Sequence, residues 1–260
     1  MAFTARLAGA GIICLVALAT PIQAATPIGK VYSKSGSPSA SGPGGNRNLD
    51  AGSALYEDDK IVTGSGNVQI VFVDETKLVV GPNSTLVIDR FLLRGGNRAG
   101  KFSVAALRGT FRFISGHSAK SAYDIKTSNA TIGIRGTAFD FTSGRATLVA
   151  VHVGRVNMCA YGKCESIDDH CGVGRAANND VAELAGRAKG QAVRSLPYIL
   201  NQGALAQPFR VNTSSCRSVA TLYQNFFGGG SQGGHGVAPQ SHAPTDNGGD
   251  EGNGGDQGGY

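Results

Sequence analysis

Tryptophan is missing from this sequence altogether, and beyond the first 24 residues so is any long apolar run. Without a second apolar span of bilayer length, no transmembrane helix is predicted in the body of the chain. Charge is scarce at 16%, and lysine and arginine are scattered along the chain. The formal charge of +6 therefore permits contact with anionic surfaces but does not mark a nucleic-acid-binding protein. CxxC spacings are also lacking, which argues against structural zinc. No helical crossover period separates the apolar segments, which excludes a doubly wound α/β fold.

Catalytic constellations are equally absent, although several stretches imitate them. The segment from Gly95 to Gly100-Lys101 has the glycine and lysine positions of a phosphate loop, but Phe102 stands where Ser or Thr is needed. Asp168-Asp169-His170-Cys171 resembles a metal or nucleophile cluster, yet Cys171 is required for disulfide pairing. Asp58-Asp59 and Asp74-Glu75 are acid pairs in turns, and adjacency in sequence does not place two carboxylates across a cleft. Neither a triad nor a metal-ligand set emerges, so no enzyme activity, cofactor or metal is expected.

What is present begins with a leader. Arg6 precedes an apolar run from Leu7 to Ala19, Pro21 breaks it, and Ala24 offers a small residue for cleavage. This is the pattern of a secretory signal peptide over residues 1–24, and it predicts a periplasmic or secreted protein. Cysteine usage agrees: removing Cys14 from the five leaves Cys159, Cys164, Cys171 and Cys216. Four cysteines in an exported chain suggest two disulfides, with three possible pairings. A Cys159–Cys164 bridge is sterically reasonable across a hairpin turning at Gly162, and it would leave Cys171 to pair with Cys216.

From Ile61 to Met158 short β-branched and aromatic runs alternate with Gly, Asn, Ser and Asp turns. That pattern predicts a mainly β domain over 25–160 with its core at 61–156, either β-solenoid-like or a twisted β-sandwich. Within it, Lys101–Leu107 and Thr110–Ile114 read as two strands, as do Ala146–Val153 and Val156–Ala160. A Ser/Pro/Gly-rich stretch from Ser33 reads as a mobile loop. Residues 161–227 read as a disulfide-linked extension: a loop over Gly172–Asn179, a short helix capped near Asn179 or Asp180, and further helical turns around Leu196–Leu200 and Val219–Phe227. From Gly228 the composition is glycine-rich and polar, which predicts a disordered tail.

The central stretch is Thr127–Phe141, T-S-N-A-T-I-G-I-R-G-T-A-F-D-F. Ile132, Ile134 and Phe139 are its core candidates, and Gly133 and Gly136 are candidates for backbone shape. Arg135, together with Arg108 and Arg112, is a candidate partner contact, because a guanidinium meets carboxylates or phosphates through paired hydrogen bonds.

Val62–Asp74, Leu78–Leu86, Leu107–Phe113, Ala130–Thr137 and Val149–Val156 together, in that order, resemble the FecR domain family. The resemblance implies a periplasmic, β-rich, non-catalytic module. The family is named for ferric-citrate sensors that pass a signal from an outer-membrane transporter to a cytoplasmic sigma factor. Where those sensors carry an anti-sigma segment and a membrane span, this sequence shows a leader, so a stand-alone exported form is expected. Its expected partners are an envelope protein, a glycan or peptidoglycan. The alternatives are a polysaccharide-acting enzyme and a periplasmic component of iron-responsive signalling.

Overall fold

In the computed structural model, which describes residues 25–94, 98–168 and 170–227, the apolar runs become fifteen strands. In chain order they are β1 (Gly29–Lys34), β2 (Ser39–Ser41), β3 (Arg47–Asn48), β4 (Ala54–Leu55), β5 (Lys60–Val62), β6 (Val68–Phe72), β7 (Lys77–Val80) and β8 (Thr85–Arg94). There follow β9 (Arg98–Ile114), β10 (Tyr123–Thr127), β11 (Thr131–Ser143), β12 (Thr147–Ala160), β13 (Lys163–Asp168), β14 (Val173–Ala177) and β15 (Asp180–Glu183). Three helices follow: α1 (Gly186–Arg194), α2 (Pro197–Leu200) and α3 (Ser214–Phe227). The expected leader, the middle of the phosphate-loop lookalike at 95–97, Asp169 and the expected tail lie outside the described residues.

Three glycines shape this chain. Gly109 in β9, Gly136 in β11 and Gly154 in β12 have φ of 114°, 68° and 77°, a region that residues bearing a side chain seldom adopt. At each glycine the long strand changes partners. β9 pairs with β8 and β10 before its bend and with β7 and β11 after it. β11 pairs with β10 before its bend and β9 after it, while β12 reaches β14 before and β13 after.

One continuous sheet therefore folds over into two facing layers. The front layer runs β3-β2-β5-β8-β9-β10-β11-β12-β13, and the back layer runs β4-β1-β6-β7-β9-β11-β12-β14-β15. Phe72 of the back layer stacks on Phe91 of the front layer with centroids 5.8 Å apart, and Phe102 meets Phe113 between the layers at 5.9 Å. Each such fully buried ring contributes roughly 1.5–3 kcal/mol. Among the described residues the long strands pair antiparallel, and only β9 with β10 is parallel. A coiled solenoid would need parallel stacking throughout, so the twisted sandwich is the architecture found.

The fold corrects several sequence expectations. The stretches around Gly109 and Gly154 are single bent strands, not pairs of strands. The Ser/Pro/Gly stretch contributes β2, because Ala40 is buried and β2 pairs with β3 just beyond the stretch, where Arg47 donates to Asp59 at 3.0 and 2.5 Å. Residues 172–183, expected as a loop and a helix start, form the β14–β15 hairpin. Its turn is Asn178-Asn179, with φ of 52° and 60°, and asparagine tolerates that backbone well. The helix begins at Gly186 instead.

The C-terminal segment then lies on the outer face of the back layer. Leu196, Ile199 and Ala192 pack with Ala150 and Val173, while Tyr198, Leu205 and Phe209 pack on Val79. Gln69 of β6 fastens the segment by donating to the Ala204 carbonyl at 3.1 Å and accepting from the Ala206 amide at 2.8 Å. The Cys171–Cys216 disulfide ties α3 to the sheet, and Cys159–Cys164 closes the β12–β13 hairpin. Both bridges match the hairpin-based pairing.

Candidate ligand-binding cleft

The α-helices pack on the back layer, and the front layer keeps Lys101, Leu107, Lys126, Arg135 and Arg155 exposed on its outer face. A cleft of about 660 Å³ opens there, lined by residues of β9, β10, β11 and β12 and by the turn of 3₁₀ helix Lys120–Ala122. Register explains its depth. Asp124 of β10, Gly133 of β11 and Asn157 of β12 stand side by side across the sheet. The middle residue of that row has no side chain, and a Cβ built on Gly133 would meet nothing nearer than the Asn157 carbonyl oxygen at 3.8 Å. Gly133 is the floor; Asp124 and Asn157 are the walls.

Three cations line the cleft, Lys101, Lys120 and Arg135, against the single carboxylate of Asp124. Among the described residues none of the three makes a side-chain hydrogen bond or ion pair. Arg135 stands directly opposite Arg155 across β11 and β12, and like charges facing each other are destabilising. Arg155 is relieved by Asp168 of β13, whose carboxylate accepts from both Nε and Nη2, the latter at 3.0 Å. Arg135 has no such relief. Lys120 runs past Gly136, where a Cβ would lie 2.7 Å from its Cε, so the bend that turns β11 also seats this lysine.

The covered face carries charge of a different kind. Phe111-Arg112-Phe113 and Phe139-Asp140-Phe141 lie in register, ring against ring on the inner face, with Arg112 opposite Asp140 on the outer one. Arg112 Nε and Nη2 donate to the two Asp140 oxygens at 2.6 and 2.8 Å. The Arg112 guanidinium also donates to the Gln202 side chain and to the carbonyls of Tyr198 at 3.0 Å and Phe209 at 3.4 Å. His152 Nε2 lies 3.2 Å from Asp140 Oδ2, and His152 Nδ1 lies 3.8 Å from the Cys216 sulfur. Burial pushes the Asp140 carboxyl upward, but the hydrogen bonds and charge of Arg112, aided by the nearby His152 ring, outweigh it and bring the carboxyl below its ordinary value. The Tyr198 hydroxyl beside this pair is raised well above its ordinary value, by burial first and then by the Asp140 charge.

The three arginines singled out by sequence are thus dispersed. Arg135 lines the cleft, and Arg108 is exposed beside the Gly109 bend of β9. Arg112 exposes no surface and is committed to Asp140, which removes it as a surface contact. Sequence reasoning missed Lys101, Lys120, Asp124 and Asn157, which come from separate elements and share no local motif. It also missed the Arg112–Asp140 pair, although the two Phe-charge-Phe triplets of opposite sign are a signal that was available. The cleft holds one carboxylate, whereas glycoside hydrolysis uses two facing each other. Among the described residues, no group of three or more His, Cys, Asp or Glu side chains is placed to hold a metal.

No curated protein matches the chain significantly. Among solved structures, two crystal structures of a proposed anti-sigma factor from Parabacteroides distasonis ATCC 8503 align with 65% of this chain and with 92% and 91% of their own length. They share 11% identity with it, at TM-scores of 0.40 and 0.41. The family model described as FecR protein matches residues 59–157, which span β5 to β12 and include Arg135, Asp140 and all three bend glycines. The chain accordingly carries a FecR domain at residues 59–157.

Proposed function

We propose that this chain is an exported, non-catalytic binding module of the cell envelope, which engages an envelope protein or glycan through the outer face of its front layer. The observation that carries the reading is the asymmetry of the two faces. The C-terminal segment packs over the middle of the back face, while the front face holds a cleft whose cations lack partners among the described residues. Unpaired guanidinium and ammonium groups beside a single carboxylate are suited to binding an anion and lack the acid–base pair that hydrolysis would need. Two disulfides favour an oxidising compartment, in keeping with the signal-peptide pattern at residues 1–24.

The match at residues 59–157 supports a second reading, a periplasmic component of iron-responsive transmembrane signalling. Both readings use the domain as a protein or glycan contact. Affinity capture from intact envelopes with the wild-type chain and with Arg135→Ala tests the first. Loss of the captured species in the variant is the expected result, and unchanged capture would remove the cleft from the account.

A further inference from the structure

We propose that the cleft floored by Gly133 takes an acidic saccharide, with Arg135, Lys120 and Lys101 holding a sugar carboxylate and Asp124 and Asn157 holding neighbouring hydroxyls. This deepens the binding-module reading and rests on it. The cleft volume of about 660 Å³ falls within the roughly 300–1,000 Å³ usual for small-ligand sites. The lining pairs cationic donors with one carboxylate acceptor and one amide, a combination that serves a ligand bearing both negative charge and hydroxyl groups.

Peptide recognition fits less well. An added peptide strand needs a free sheet edge, and β10 is paired on both sides, with β9 and with β11. Side-chain anchoring needs apolar pockets, and Tyr123 and Ile134 turn inward at 3% exposure each. A neutral sugar would need an aromatic ring face to stack upon. Tyr123 is the one aromatic residue of the lining, and its ring is packed against Phe102 and Phe113. Charge is therefore the main source of affinity that the cleft offers, which selects an acidic sugar over a neutral one.

The test titrates the purified chain calorimetrically with a galacturonic acid trisaccharide, a neutral galactose trisaccharide, an acidic tripeptide and inorganic phosphate. The uronate is expected to bind in preference to the other three, and more weakly as salt rises. Arg135→Ala should weaken it roughly tenfold or more, as the loss of a charge-assisted hydrogen bond implies. Gly133→Val should abolish it while the circular-dichroism spectrum stays that of the wild type, because a Cβ at the floor meets nothing nearer than 3.8 Å. Equal binding of the neutral sugar, tighter binding of the peptide or phosphate, or no binding of the uronate would each overturn the proposal. Uronate binding unaffected by either variant would overturn it too. If the uronate fails while capture from envelopes still depends on Arg135, the acidic-sugar assignment falls and the binding-module reading stands.

Discussion

Arg112 and Asp140 stand directly opposite each other on β9 and β11, and neither side chain exposes any surface. An ion pair of this kind adds little net stability relative to well-packed apolar residues, but leaving one charge without the other is costly. Asp140→Asn strands the guanidinium and is expected to lose about 3–5 kcal/mol, read as a lower urea midpoint with an unchanged slope. Arg108→Ala, at an exposed position of the same strand, should leave the midpoint within about 0.5 kcal/mol.

The same pair sets an acid limit. Asp140 has a carboxyl held below its ordinary value of 3.8 in the folded chain. Its contribution is fully present above the unfolded-state value and is lost as pH falls through the depressed folded value. Melting temperature measured against pH should therefore drop below about pH 4 in the wild type. In Asp140→Asn that drop should be shallower. Parallel curves for the two proteins would assign the acid sensitivity to other carboxylates.

The two disulfides should differ in weight. Cys171 and Cys216 are 45 residues apart, and Cys159 and Cys164 are 5 apart. Loop-closure entropy then gives about 4 kcal/mol for the first bridge and about 2 kcal/mol for the second. Cys171→Ser/Cys216→Ser should also raise amide exchange in α3 and in the segment lying over Arg112, since apolar packing and the hydrogen bonds of Gln69 and Arg112 then hold it to the sheet without a covalent tie. Thermal melts and hydrogen exchange of the two double variants check this ordering.

The glycines of β11 and β12 separate by role. Gly154→Ala forces a side chain into a backbone with φ of 77° and places a Cβ 2.2 Å from the Gly136 carbonyl oxygen. The strained backbone alone costs about 1–3 kcal/mol. Gly133→Ala meets only the Asn157 carbonyl oxygen at an ordinary 3.8 Å and should hold or slightly raise stability. Matching melting temperatures for these two variants would contradict the account of the bends.

Much of the sandwich was legible because long runs of its inner faces follow the two-residue period. Ile132, Ile134 and Phe139 were read as core and are buried. What misled is physical. A glycine inside a strand pattern reads as a break, yet at 109, 136 and 154 the chain bends and goes on pairing. Arg112 and Asp140 alternate with phenylalanine as solvated residues do, and the segment that covers them comes from 198–209, far along the chain. The helix expected to start near Asp180 begins later because β15 accounts for the first apolar residues there: Val181 enters the sandwich core and Leu184 packs with the helices. Arg135 was visible from its place beside Gly136, but the lysines that join it come from β9 and from a turn, where sequence spacing carries no information about the cleft.

The central claim is that the front-face cleft is where this chain meets its partner. A photocrosslinking residue placed at Ser121, on the cleft rim, and separately at Leu200, on the opposite segment, tests it in intact cells. The account predicts an adduct from position 121 that disappears when Arg135→Ala is added, and no adduct from position 200. An adduct from position 200 alone, or one from 121 that persists without Arg135, would contradict it.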